Sequence, residues 1–107
     1  MPGLKPPKND ATYAWTSHVW GKMLHYGIGE GRIRRIIRSP ARVEEGVAEH
    51  TIAAMQPTGV KGQHEMWVMY KLDKGKIKVI TAWRYPGKSP ARDPIPKEVI
   101  AEVRQLL

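Results

Sequence analysis

Histidine and arginine are the side chains of this sequence that are best suited to chemistry. Four histidines, His18, His25, His50 and His64, occur in a chain of 107 residues without cysteine. Imidazole titrates near neutral pH and moves protons readily. No two of the histidines have the spacing of a ligand pair on one helix or strand, and thiolate ligands are absent. We therefore expect proton transfer rather than metal binding, and neither a metal nor another cofactor.

A second chemical feature is a group of four arginines within seven residues, between positions 32 and 38. On a helix, the isoleucines of this stretch share one face, and three arginines point the other way: Arg34, Arg35 and Arg38. Guanidinium groups fork onto phosphate oxygens. The stretch is thus either a phosphate-binding surface or an ordinary solvated helix face.

Cleavage of RNA without a metal requires a base for the 2′-hydroxyl, an acid for the leaving 5′-oxygen and cations for the phosphorane. His18, one helical turn from Lys22, and His50, within a predicted strand, are the candidate proton carriers. Thr81 and Arg84 lie at the end of another predicted strand, where sites often form. The alternative for His18 is a helix cap or a surface position.

Aromatic side chains accompany Arg84 on both sides. Trp83 and Tyr85 could stack on bases beside this guanidinium, as in proteins that bind single-stranded RNA. A place in the hydrophobic core is the alternative for Trp83 and is favoured over base stacking.

The charge balance agrees with a polyanionic partner. Eighteen Lys and Arg against ten Asp and Glu give a net charge of +8, and residues 1–43 alone carry +6. Such an imbalance attracts nucleic acid.

No apolar run approaches the roughly 18 residues that span a bilayer, and the lack of cysteine fits a reducing compartment. We expect a cytoplasmic protein without a membrane partner.

The helices and strands predicted to position these residues form an α+β domain. Residues 1–12, with three prolines, predict a flexible basic arm, and residues 13–107 a single domain. Helices are predicted over 18–26 and 30–38, a strand over 47–55, and a hairpin over 65–72 and 76–84. A proline-rich connection, 86–96, leads to a C-terminal helix over 97–107.

We expect the N-terminal helices to pack on an antiparallel sheet of three to four strands. Alternation in the hairpin places one set of side chains on the face that the helices cover: Met66, Val68, Tyr70, Leu72, Ile77, Val79, Thr81 and Trp83. The apolar stripe of the C-terminal helix covers either this sheet or a partner, so an oligomer through that helix is a further expectation.

Three short segments resemble a known group: His18 followed by Lys22-Met23, then Tyr26-Gly27-Ile28, then the strand that ends Thr81-Ala82-Trp83-Arg84. Over residues 16–88 they are similar to small bacterial and phage-borne proteins of the DUF4258 and BrnT type. Those families belong to the RelE, barnase and colicin (BECR) group of ribonuclease folds. The resemblance implies N-terminal helices on an antiparallel sheet, with His18, Thr81 and Arg84 facing the site.

Three hypotheses follow. The first is a toxin-like, metal-independent endoribonuclease in which the arginine helix holds phosphates, His18 or His50 moves protons and Arg84 stabilises the transition state. The second is a nucleic-acid-binding module without catalysis, for RNA or DNA. The third is a partner-binding subunit whose basic surface meets an acidic protein such as an antitoxin.

Overall fold

The computed structural model describes residues 4–106, and residues 1–3 and Leu107 lie outside the described part. Within it the chain forms five strands, three α-helices and one short 3₁₀ helix, Val60–Gly62. Their order is β1 (Tyr13–Trp15), α1 (Ser17–Tyr26), α2 (Glu30–Arg38), β2 (Arg42–Glu45), β3 (Thr51–Thr58), β4 (His64–Asp73), β5 (Lys76–Pro86) and α3 (Lys97–Leu106). The predicted α+β class is confirmed.

The sheet is larger than predicted, and it is mixed. Its strand order is β1-β5-β4-β3-β2, with β1 parallel to β5 and the other neighbours antiparallel. The prediction of three to four antiparallel strands was therefore wrong. It missed β1 and β2, which have only three and four residues, because so short a strand has too few positions for alternation to be recognised.

The predicted N-terminal helices are confirmed nearly to the residue. Thr16 caps α1 by accepting a hydrogen bond from the Val19 N–H at 3.0 Å, and Gly27 ends the helix with a left-handed φ of 67°. α2 buries its isoleucine stripe, Ile33, Ile36 and Ile37. Both helices pack with β3, β4 and β5 on one face of the sheet, which we call the helix face.

The predicted strand over 47–55 was displaced. β3 begins only at Thr51, and Glu49 and His50 form a turn in which His50 adopts a left-handed φ of 64°. His50 is therefore an exposed turn residue and not a mid-strand residue. The segment lacks proline and glycine after position 46, so composition contained no signal for the turn.

A β-bulge changes the face of the sheet on which the side chains near the end of β5 lie. Tyr70 pairs with Val79 but Met69 pairs with Thr81, so Ile80 is an extra residue on β5. An extra residue reverses the in-and-out alternation beyond it. The prediction that Thr81 and Trp83 share a face with Val79 was therefore wrong, and it is Arg84 that shares the helix face.

The opposite face, here called the strap face, has its own core. Trp67 and Trp83 stack there with ring centroids 5.8 Å apart, and Val99 and Val103 of α3 pack with them. The stripe of the C-terminal helix thus covers the protein's own sheet through these two valines. Leu106 at its end is exposed.

The proline-rich connection is attached to the strap face through the buried carboxylate of Glu65. This carboxylate accepts hydrogen bonds from the Ser89 hydroxyl at 2.6 Å, the Ser89 N–H at 3.1 Å and the Trp67 indole N–H at 3.0 Å. Arg42 lies 3.5 Å away and donates to the Ser89 and Pro90 carbonyl oxygens. Burial disfavours ionisation of Glu65, but the hydrogen bonds and the Arg42 charge outweigh it, and its pKa is lowered.

The first prediction concerns Thr16. Its hydroxyl both caps α1 and donates to the carbonyl oxygen of the bulge residue Ile80 at 2.8 Å. Thr16→Ala should lower the free energy of unfolding by about 1–2 kcal/mol, as measured by urea denaturation. Thr16→Ser keeps the hydroxyl and should remain close to wild type. Equal stability of the Ala variant and wild type would contradict this role.

The second prediction concerns the pH dependence of stability. Because the pKa of Glu65 is lowered in the folded state, its contribution is present above the ordinary carboxyl value of about 4.3 and is lost as pH falls through the lowered pKa. Glu65→Gln should destabilise the protein at pH 7 by about 1–3 kcal/mol. It should also flatten the loss of stability between about pH 5 and pH 3. An unchanged acid profile would exclude this account.

Candidate functional site

A cleft of about 380 Å³ opens on the helix face, between the α1–α2 turn and the ends of β3, β4 and β5. Its lining combines three arginines with one phenol, one hydroxyl and a small apolar floor. The lining residues are Tyr26, Gly27, Ile28, Gly29, Arg32, Arg35, Thr58, Met66 and Arg84. No carboxylate is among them, so the cleft is positively charged throughout.

Local sequence explains how α2 brings two arginines to the cleft. The left-handed Gly27 turns the chain sharply, and buried Ile28 anchors the turn by donating its N–H to the Met23 carbonyl at 3.0 Å. α2 then starts after Gly29 with its isoleucines against the sheet. Arg32 and Arg35, three residues apart, lie next to each other on the helix side that borders the cleft.

Arg84 reaches the same cleft from the sheet. It lies near the end of β5, opposite Met66 of β4, and its side chain is exposed. Without the bulge at Ile80, residue 84 would face the strap side. Arg84 and Arg35 make no ion pair with any described residue, so both guanidinium groups are available to an anion.

Arg32 is more constrained than the other two cleft arginines. It donates to the Pro57 carbonyl oxygen at 3.1 Å, which holds it against the end of β3. Its Nε is buried and has no hydrogen-bond partner among the described residues. Its terminal nitrogens, and not the Nε, are therefore the groups that could contact a ligand in the cleft.

Arg34, in contrast, is held by the fold. Asp10 and Glu30 each lie 3.1 Å from its terminal nitrogen, and its guanidinium stacks 4.7 Å from the Tyr13 ring centroid. The backbone N–H groups of Tyr13 and Thr12 donate to Asp10 and lower the pKa of this carboxyl, and Arg34 adds to the effect. Its charge is balanced, and its role in this structure is to attach the segment before β1.

The other residues of the predicted site are dispersed. His18 and Lys22 point to α3, where the Glu102 carboxylate lies 3.2 Å from the His18 Nε2 and 3.0 Å from the Lys22 Nζ. Thr81 is fully buried on the strap face, and its hydroxyl has no hydrogen-bond partner in the described part of the chain. His50 is in the turn before β3.

The two aromatic candidates are also on the strap face. Trp83 is 1% exposed, and its indole N–H donates to the Pro94 carbonyl oxygen at 3.1 Å. Tyr85 packs against the same core. Arg38 is exposed near the end of α2 and does not line the cleft. Of the predicted site residues, only Arg35 and Arg84 therefore line this cleft.

Three polar residues that line the cleft were not among the predicted site residues: Tyr26, Arg32 and Thr58. Arg32 belongs to the predicted arginine group but was not placed on its phosphate-facing side. Tyr26 carries a usable signal, because it directly precedes a helix-ending glycine and a second helix rich in arginine. Its ring packs edge to face against that of His25, with centroids 4.7 Å apart. Thr58 carries no such signal, because only strand pairing brings it beside α2.

Neither a metal centre nor a membrane-spanning helix is found in residues 4–106. No three His, Asp or Glu side chains there are grouped so that they could hold a metal ion. No helix in the same range combines the length and the apolar character needed to cross a bilayer.

The charged groups of the cleft indicate the class of ligand that it could bind. Three guanidinium groups without a neighbouring carboxylate favour a ligand with several anionic oxygens. Comparison with known proteins adds no further constraint, since no family model, no curated protein and no solved structure matches this chain.

Proposed function

We propose that this protein binds RNA and holds the phosphate backbone in the arginine cleft. The observation that carries the proposal is the convergence of Arg32, Arg35 and Arg84 on one cleft that no carboxylate lines. Planar guanidinium groups match the geometry of phosphate oxygens. The net charge of +8 supports long-range attraction of a polyanion to this surface.

The preference for RNA over DNA draws on the resemblance to the RelE, barnase and colicin group. The sheet of this chain is mixed and differs from the antiparallel sheet that the resemblance implies, so the sequence segments alone carry this preference. Phosphodiester binding itself is common to both nucleic acids. Single-stranded DNA of the same sequence is thus the appropriate comparison in every binding experiment.

The third prediction tests the cleft by fluorescence anisotropy with a labelled single-stranded RNA. Arg35→Ala and Arg84→Ala should each weaken binding and lower the slope of log affinity against log salt by about 1, because each removes one phosphate contact. Arg104→Ala is the matched control, since Arg104 is an exposed arginine on α3 that does not line the cleft. Equal losses for all three variants would show that only net charge matters and would overturn the cleft assignment.

A second candidate function is metal-independent cleavage of the bound RNA. The observation that favours it is the Tyr26 phenol in the same cleft as the three guanidinium groups. In such a reaction the 2′-oxygen bonds to phosphorus while the bond to the 5′-oxygen breaks. The products are a 2′,3′-cyclic phosphate and a 5′-hydroxyl. A base removes the 2′-proton, an acid protonates the leaving oxygen, and tyrosine is able to act in either role.

The fourth prediction separates cleavage from binding. With end-labelled RNA in EDTA, wild-type protein should yield cyclic-phosphate ends, and Tyr26→Phe should slow cleavage by about 100-fold or more without weakening affinity. Tyr70→Phe is the control, because Tyr70 lies on the helix face but does not line the cleft. If RNA stays intact with wild-type protein, cleavage is excluded and the proposed RNA binding is unaffected.

A further inference from the structure

The turn that follows β3 lies next to the cleft and contains two hydrogen bonds of its own. β3 ends at Thr58, which lines the cleft, and the chain then turns through residues 59–63 into β4. Gly62 donates its N–H to the Gly59 carbonyl at 3.2 Å, and Gln63 donates to the Val60 carbonyl at 3.2 Å. Gly59, Lys61 and Gly62 all have left-handed φ, at 80°, 55° and 67°. Two glycines make this tight shape accessible.

His64 attaches this turn to the end of β5. A Cβ added to Gly59 would come within 2.9 Å of the His64 Cδ2, so the imidazole lies directly against the turn backbone. The His64 Nδ1 accepts a hydrogen bond from the Gly87 N–H at 3.3 Å. His64 also pairs with Thr58 on one side and with Pro86 on the other. The turn is thus fixed relative to Arg84, two residues before Pro86.

The turn exposes an apolar side chain and a cation next to the cleft. Val60 is 73% exposed, more than any other large hydrophobic side chain in residues 4–106. Lys61 follows it, also exposed and with no ion pair to a described residue. An apolar group and a cation side by side next to a phosphate-binding cleft match an unpaired base and its neighbouring phosphate.

The size of the cleft suits a single nucleotide. At about 380 Å³ it lies near the lower end of the range for small-ligand pockets. A nucleotide that enters it leaves the base stack, so the face of the neighbouring base is open to an apolar contact.

We propose that the turn formed by residues 59–63 is the base-contacting element of the site, specific for single-stranded nucleic acid. Val60 packs on the face of an unpaired base, and Lys61 contacts the next phosphate. This inference rests on the proposed RNA-binding function and adds the strandedness of the ligand and the residues that recognise it. The contact is independent of base identity, because every base presents a flat face.

The far end of the β4–β5 hairpin supplies matched controls. Leu72 is 69% exposed, close to the value for Val60. Lys74 has a left-handed φ of 54°, close to that of Lys61. Leu72 lies in β4 one residue before the end of the strand, and Lys74 lies in the turn that follows, both away from the cleft. Substitutions at the two ends therefore remove similarly exposed apolar surface and the same charge at different positions.

The fifth prediction uses these pairs in anisotropy titrations of the full chain with single-stranded RNA and with a duplex of the same sequence. Val60→Ser should weaken single-strand binding by about tenfold, and Lys61→Gln should lower the salt slope by about 1. Leu72→Ser and Lys74→Gln should leave both unchanged. Wild-type protein should bind the duplex more weakly, and Val60→Ser should not affect duplex binding.

These experiments distinguish a failure of the proposed role of the turn from a failure of the proposed RNA binding. Normal single-strand binding by Val60→Ser, together with weakened binding by Arg84→Ala, would overturn the role of the turn and retain RNA binding by the cleft. Equal effects of Val60→Ser and Leu72→Ser would also overturn it. Absence of RNA binding by the wild type would remove both. Circular dichroism melting curves should show that the four exposed substitutions leave the fold intact.

Discussion

The joint between Thr16 and the bulge at Ile80 is the constraint on which the architecture depends. The bulge residue's carbonyl accepts from the Thr16 hydroxyl, while Val79, beside it, pairs with Trp15 and accepts from the Thr16 N–H. β1 therefore ends and α1 begins at the point where β5 changes its alternation. One threonine connects the edge strand, the first helix and the irregular position in the sheet.

This joint determines the composition of both faces. Before the bulge, Ile77 and Val79 pack under α1 and α2, and after it Trp83 turns to the strap face and Arg84 to the helix face. The bulge thus provides the strap face with its Trp67–Trp83 stack and the cleft with its third cation.

The two faces also differ in whether their charged side chains are paired with groups of opposite charge. On the strap face, Glu65 and Arg42 are paired and hydrogen bonded, as buried charged groups must be. In the cleft, three arginines converge without a counter-ion from the lining. Such a concentration of like charge disfavours the folded state, and a bound anion would relieve this repulsion. The asymmetry is the main physical reason for proposing a function for the helix face, and the turn proposed to contact bases lies beside it.

The sequence by itself determined the elements whose signals are local. The isoleucine period of α2, the turn in the β4–β5 hairpin and the proline start of α3 all depend on neighbours within a few residues. It also identified Arg35 and Arg84 as candidate anion ligands. Tertiary structure alone decided which face the end of β5 occupies and which residues meet in the cleft. The bulge between β4 and β5 places Thr81 on the strap face, and His18 lies against Glu102 of α3, outside the cleft. Tyr26, Arg32 and Thr58 line the cleft because packing brings the α1–α2 turn beside the end of β3, far away in the chain.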